Sequence, residues 1–253
     1  MANTQENALE YATLSRRGDR TENQDCADQY VDEKQAVFIV ADGLGGHKNG
    51  RFAARYFCER FIHQTVKHQK VLYNDPVHIL NELFNLAEFD LNKALESYPD
   101  GMEARTTCVV AYTSDKITIS LHLGDSRFYL ADRDKIIWRS KDHSIVQILI
   151  DQKEITEQEA ETHPDRNRIY KCLGGEIKQK AAIHELPALS QSQVILICSD
   201  GFWHTLDHAR LTKLITASDL DLQLQSLVQQ AVEEADGRSD NVTATVLRKP
   251  LKL

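Results

Sequence analysis

Three apolar runs in this chain have the length of buried strands, and each meets an aspartate at its edge. Residues 37–41 are followed by Asp42, residues 194–198 by Ser199 and Asp200, and residues 242–247 are preceded by Asp240 and Asn241. The first two runs carry no polar residue, which describes strands covered on both faces. A fourth acidic segment, ENQD, ends at Asp25. Carboxylates gathered at the ends of adjacent buried strands repel one another, so a fold that collects them needs a cation between them. Carboxylate oxygens are hard donors and suit Mg²⁺ or Mn²⁺ better than zinc or copper. The pattern points to a metal site, and through it to phosphate chemistry.

Composition removes several alternatives. The 253 residues are 42% hydrophobic and 27% charged, enough for one large domain or two small ones. A net charge of -8 without a long Lys/Arg tract argues against a nucleic-acid partner. The first seven residues lack the apolar stretch of a signal peptide. No window approaches the ~18–20 apolar residues of a membrane span. Five cysteines at irregular spacing, without a CxxC pair, read as reduced thiols in a cytoplasmic protein.

Periodicity predicts strands over 9–15 and 35–42, then the glycine-rich loop DGLGGHKNG. Helical spacing follows over 49–69 and 76–97, closed by the turn YPDGM at 98–102. Four segments, 106–113, 116–125, 126–132 and 135–140, read as a meander of strands. Short helices are expected over 144–153 and 156–161, the second opening on a T-x-x-E capping box. Strands at 181–186 and 194–200, helices at 207–217 and 220–235, and a last strand at 241–248 complete the order. Blocks of strands flanked by helix pairs predict an α+β fold, a central antiparallel β-sandwich with helices outside in four αββα layers. No repeat or linker divides the chain, so a single domain is expected, with its core at about 9–248.

Seven short segments in fixed order carry a resemblance. They are R-x-x-N-x-D (Arg20, Asn23, Asp25), DGxGGH (Asp42 to His47), Thr106-Thr107, GDSR (Gly124 to Arg127), DHS (Asp142 to Ser144), SDG-x-W (Ser199 to Trp203) and SDN-x-T (Ser239 to Thr243). Together they resemble the metal-dependent Ser/Thr protein phosphatases of type 2C, the PPM family, and its bacterial members in particular. The resemblance implies a monomeric enzyme that hydrolyses phosphoserine and phosphothreonine in proteins and opposes a Ser/Thr kinase. It implies two Mn²⁺ or Mg²⁺ ions, with Asp42 bridging them, the Gly43 carbonyl on one, and Asp200 and Asp240 completing the other. Asp125 would help hold a third, weaker ion together with Asp200. Asp25 would orient metal-bound waters, and Arg20 offers a planar fork to two phosphate oxygens. Two ions roughly 3.5–4 Å apart can generate hydroxide from a bridging water, so attack is expected to be direct, without a phosphoenzyme. Residues 142–183 correspond to the family's variable flap, where Arg166 and Arg168 stand within reach of a phosphopeptide or serve as surface charges.

Other residues carry blander expectations. Thr106 and Thr107 read as strand residues beneath the site, Asp142 to Ser144 as a helix N-cap region, and Trp138 and Trp203 as core. His47 stands near the cleft or beside a helix cap. The chain departs from the family pattern at three places. Gln24 stands where glutamate is usual, Leu44 where animal members carry a histidine, and His204 where many members have an aspartate. A catalytically silent binding module of the same fold is the competing reading, and intact Asp42, Asp200 and Asp240 argue against it.

Overall fold

The computed structural model describes residues 9–44, 49–97, 103–175 and 178–250. The first half of the chain holds β1 (Glu10–Arg16), β2 (Cys26–Val31), β3 (Gln35–Ala41) and β4 (Gly43–Leu44), then helices α1 (Asn49–Asn74) and α2 (Pro76–Ser97). Next come β5 (Arg105–Thr106), β6 (Cys108–Ser114), β7 (Ile117–Leu123), β8 (Arg127–Ala131) and β9 (Ile136–Arg139). Short helices α3 (Ile145–Asp151) and α4 (Glu157–Ala160) precede β10 (Ala182–Pro187) and β11 (Val194–Cys198). The chain closes with α5 (Asp200–Trp203), α6 (His208–Thr216), α7 (Leu220–Glu234) and β12 (Val242–Arg248).

The strands form two five-stranded antiparallel sheets, ordered β10-β7-β6-β3-β2 and β1-β12-β11-β8-β9, and a two-stranded β4-β5 pair. Alternation along β3 sets the layers. Val37, Ile39 and Ala41 turn outward onto Phe57, Phe61 of α1 and Leu80, Phe84 of α2. Ala36, Phe38 and Val40 turn inward and meet Ile195, Ile197 and Phe128 of the other sheet. In β11 the same division sends Val194, Leu196 and Cys198 toward Leu211 and Leu214 of α6 and Leu224 and Leu227 of α7. Both faces of each central strand are covered, which is why these runs show no polar alternation. The layers are helix, sheet, sheet, helix, as expected.

Four details differ from the sequence reading. The stretch 106–140 is not one meander: β6 and β7 pair in the first sheet, while β8 and β9 pair in the second. The chain changes sheets at Gly124, whose φ of +103° admits glycine without strain. Strand β2 escaped notice because CADQYV lies at a sheet edge and is only partly covered. Helix α1 runs to Asn74, past the expected end at 69. Helix α5 is a single turn starting on the SDG motif. The capping box at Thr156 forms with Glu159. The expected turn at 98–102, and His47 with the middle of the glycine loop, lie outside the described residues.

One buried cation ties the ends of the second sheet to the helical layer. Arg248 is 2% exposed and donates from Nε to Glu10 on β1 at 2.9 Å. Its Nη atoms donate to the carbonyls of Leu214 and Ile215 at 2.7 and 2.9 Å and of Ala217 at 2.6 Å. Those carbonyls are the orphan acceptors at the end of α6, where the helix dipole also favours a cation. Arg248→Met leaves the carbonyls and Glu10 unanswered and is expected to cost about 3 kcal/mol. Urea unfolding measures this, and an unchanged midpoint would contradict it.

Candidate metal centre

Strand register brings one end of every central strand to the same level. Cys26 pairs with Ala41, so Asp25 and Asp42 are the next residues on neighbouring strands. Cys198 pairs with Ala244 and with Arg127, which sets Asp200, Asp240 and the β7–β8 turn carrying Asp125 beside one another. Asp25 and Asp125 are buried, while Asp42, Asp200 and Asp240 are partly exposed. The structure thus collects all five predicted aspartates at one end of the sandwich.

Neutral donors hold them there. The Asp42 N–H donates to Thr107 Oγ1 at 3.1 Å. Its carbonyl accepts from Thr107 N and Thr106 Oγ1, both at 2.9 Å. The two threonines therefore do more than pack beneath the site; they fix the backbone on either side of the Asp42 carboxylate. Ser199 Oγ donates to Asp25 Oδ2 at 2.8 Å, and Ser199 in turn is locked to β12 through Thr243 N and O. Thr243 Oγ1 also contacts Ser15 Oγ at 2.7 Å, and Asn23 Nδ2 donates to Ser15 Oγ at 2.8 Å. Asn241 secures the Arg20 loop by accepting from Gln24 N at 2.8 Å and donating to the Arg17 and Glu22 carbonyls at 2.7 and 2.9 Å. Ser199 and Asn241 stood in the quoted motifs without a role. Their position next to Asp200 and Asp240 is the signal that identifies them.

Gly43 is explained by packing. A Cβ there would fall 2.4 Å from the Gly50 backbone of α1 and 2.8 Å from the Gln24 carbonyl. The glycine is thus required by the close approach of α1, independently of any ligand role for its carbonyl. Arg20 is found on a carboxylate: its Nη2 pairs with Asp240 Oδ2 at 2.7 Å, with 62% of the side chain exposed. Asp142 does not cap α3; Ser144 does, and Asp142 forms a two-point pair with Arg127 at 2.8 and 2.7 Å. A cavity of about 310 Å³ borders the centre on the flap side, lined by Arg127, Trp203, His204 and Arg166 among others. Arg168 is instead paired with Asp165.

The electrostatics follow from crowding. Burial pushes the Asp42 carboxyl well above its usual range, and the fields of Asp25, Asp200, Asp125 and Asp240 add to it. Asp125 is raised by burial and then by Asp200 and Asp142. Asp200 is raised by burial and by Asp240, while His204 and the Gly201 backbone N–H pull it back. Asp25 moves up to about 7, chiefly through burial, with Thr243 and Ser199 opposing and Asp200 and Asp240 reinforcing.

Two buried oxygens, Asp25 Oδ1 and Asp200 Oδ1, have no hydrogen-bond partner. Unanswered acceptors within a carboxylate-only donor set fit a hard divalent cation. Among the described residues no three acidic, histidine or cysteine side chains already converge in ligand geometry.

Because Asp25 holds its proton more tightly in the fold than in the unfolded chain, its stabilisation of the metal-free protein is complete below pH about 4 and is lost as pH rises through about 7. Thermal unfolding in chelator is expected to show stability falling by a few kcal/mol from pH about 5 to about 8. Asp25→Asn should flatten that slope. Parallel profiles for the two proteins would contradict the assignment.

Comparison with known proteins shows which family and fold the chain shares. The sequence profile of the family described as Protein phosphatase 2C matches residues 14–235. The chain is 28% identical to the serine/threonine phosphatase stp of Listeria innocua over 223 residues, 87% of this chain and 86% of that one. A crystal structure of a bacterial serine phosphatase superposes with a TM-score of 0.86 at 25% identity, covering 97% of this chain and 100% of the other. The catalytic domain of the serine threonine protein phosphatase PstP, in complex with two manganese ions, superposes with a TM-score of 0.77 at 26% identity over 95% of this chain and 97% of that one.

Proposed function

This chain belongs to the protein phosphatase 2C family, and on that footing we propose that its clustered aspartates remove phosphate from serine and threonine side chains modified by a partner Ser/Thr kinase. The chain is a metal-dependent phosphoprotein phosphatase with Mn²⁺ or Mg²⁺ as cofactor. The observation that carries the site assignment is the meeting of Asp25, Asp42, Asp125, Asp200 and Asp240 from separate segments, with two of their buried oxygens unpartnered.

Asp42 feels the field of all four others, and it would be a ligand shared by both ions. The Gly43 carbonyl would serve one ion, Asp200 and Asp240 the other, and Asp125 with Asp200 a weaker third. When bound, the ions supply Lewis acidity that activates water and offsets phosphoryl charge. Arg20 spends one N–H on Asp240, and its other donors are directed at two phosphoryl oxygens once substrate arrives. Asp25 is held at Oδ2 by Ser199, which would leave Oδ1 to accept from a metal-bound water and orient it. Leu44 offers no proton to the departing serine or threonine oxygen, which leaves that proton to water.

The described residues act as one phosphatase domain, with 142–183 as its flap, and the cavity beside Arg127 and Arg166 accommodates residues flanking the phosphoamino acid. Free thiols at all five cysteines support a cytoplasmic location, and among the described residues no helix is long and apolar enough to cross a membrane. We expect a monomer. A silent module is disfavoured because the relatives are named Ser/Thr phosphatases and Asp42, Asp200 and Asp240 are all intact in this sequence.

The test is Mn²⁺-dependent hydrolysis of p-nitrophenyl phosphate and of a phosphoprotein, abolished by chelator. Asp42→Ala should lower kcat at least about a thousandfold, since it removes the residue shared by both ions. Full activity in that variant ends the assignment, and a preference for nucleotides or sugar phosphates over phosphoprotein ends the substrate class.

A further inference from the structure

Helix α5 is a single turn, yet it links the Asp125 and Asp240 loops of the centre. Asp200 is its first residue, and a Cβ on Gly201 would fall 2.2 Å from the Asn241 carbonyl, so the turn is seated directly on the Asp240 loop. Its last residue, Trp203, donates from the indole N–H to the Asp125 carbonyl at 2.9 Å. The Arg127 guanidinium lies 3.4 Å from the centre of the Trp203 ring. His204 stacks on the same residue at 4.0 Å and returns to the Asp200 carbonyl through Nδ1 at 2.7 Å.

Arg127 is itself immobilised. Its side chain is 13% exposed, forked onto Asp142, and donates to Tyr129 Oη at 3.2 Å. The backbone beside Asp125 is fixed as well: Gly124 N donates to His143 Nδ1 at 3.1 Å, and His143 N donates to the Gly124 carbonyl at 2.9 Å. The Asp125 and Asp200 loops carry charges that repel each other, so their spacing has to be imposed from outside the carboxylates.

We propose that Trp203 is a positioning residue for the metal centre: its indole N–H and its contacts with Arg127 and His204 set the spacing between the Asp125 and Asp200 loops. This rests on reading those aspartates as metal ligands. Trp203 touches no reacting atom and acts only through the two loops. A tryptophan is suited to the task because one rigid side chain supplies both a flat stacking surface and a single directed donor. Phenylalanine keeps the surface and loses the donor, which makes the contribution separable.

The experiment titrates Mn²⁺ into metal-free protein by calorimetry and follows p-nitrophenyl phosphate turnover and thermal midpoint in parallel. Trp203→Phe is expected to weaken Mn²⁺ binding about tenfold and to lower kcat about tenfold, with KM within about twofold, the scale of one lost hydrogen bond. Arg127→Lys, which keeps charge opposite Asp142 but loses the fork, should shift Mn²⁺ affinity in the same direction. Leu227→Ala, a core truncation beneath α7, should lower the thermal midpoint and leave Mn²⁺ affinity at the wild-type value. Wild-type Mn²⁺ affinity in Trp203→Phe overturns the proposal. So does a loss in Leu227→Ala equal to that in Trp203→Phe, because the effect would then follow stability alone. Wild-type protein that binds no Mn²⁺ overturns the reading of the aspartates as ligands, and this proposal with it.

Discussion

Repulsion among five carboxylates is the constraint around which the rest of this molecule is arranged. Asp25, Asp42, Asp125 and Asp200 are each pushed toward the neutral form by loss of solvent and by their neighbours. The fold does not answer with buried lysines. It answers with hydroxyls, amides and backbone N–H groups that set position without cancelling charge: Thr106 and Thr107 on Asp42, Ser199 and Thr243 on Asp25, Asn241 on the Arg20 loop. A cationic partner inside the cluster would have satisfied the acids and removed their appetite for metal. The two arginines nearby are placed accordingly. Arg127 is committed to Asp142, and Arg20 reaches Asp240 only at the exposed rim.

The sandwich supplies the stiffness this arrangement needs. Two sheets packed face to face, each backed by a helix pair, fix the ends of their central strands through a shared core of close-packed side chains. Side chains that emerge at those ends inherit the register of the ladders. A slip of one residue would turn Asp42 or Asp200 into the core and expose an apolar neighbour, so the hydrophobic pattern that specifies register also specifies the site.

The parts of this design that could be read from sequence are those written in local pattern. Apolar runs at 37–41 and 194–198, helical stripes in α1, α2 and α7, and the Thr156 capping box each declare themselves within a few residues. The aspartates were legible because each one interrupts such a pattern. Strand β2 was not, since an edge strand with one covered face mixes Asp28 and Gln29 with its apolar residues. The passage from β7 to β8 between sheets was equally hidden, because a sharp turn at Gly124 looks the same in sequence whether it closes a hairpin or changes layers. Roles that depend on contacts across some two hundred residues, such as Ser199 with Asp25 or Arg20 with Asp240, have no local signature at all.

Strand β12 lies inside its sheet between β1 and β11 and, among the described strands, is the one ladder partner of β1. Its leading residues carry Asp240 and the asparagine that tethers the Arg20 loop. Until β12 inserts between β1 and β11, therefore, β1 has no ladder neighbour among the described strands, and the acidic cluster lacks Asp240. Closing this sheet and completing the acidic centre are thus a single folding event, and a chain cut before Asp240 has neither.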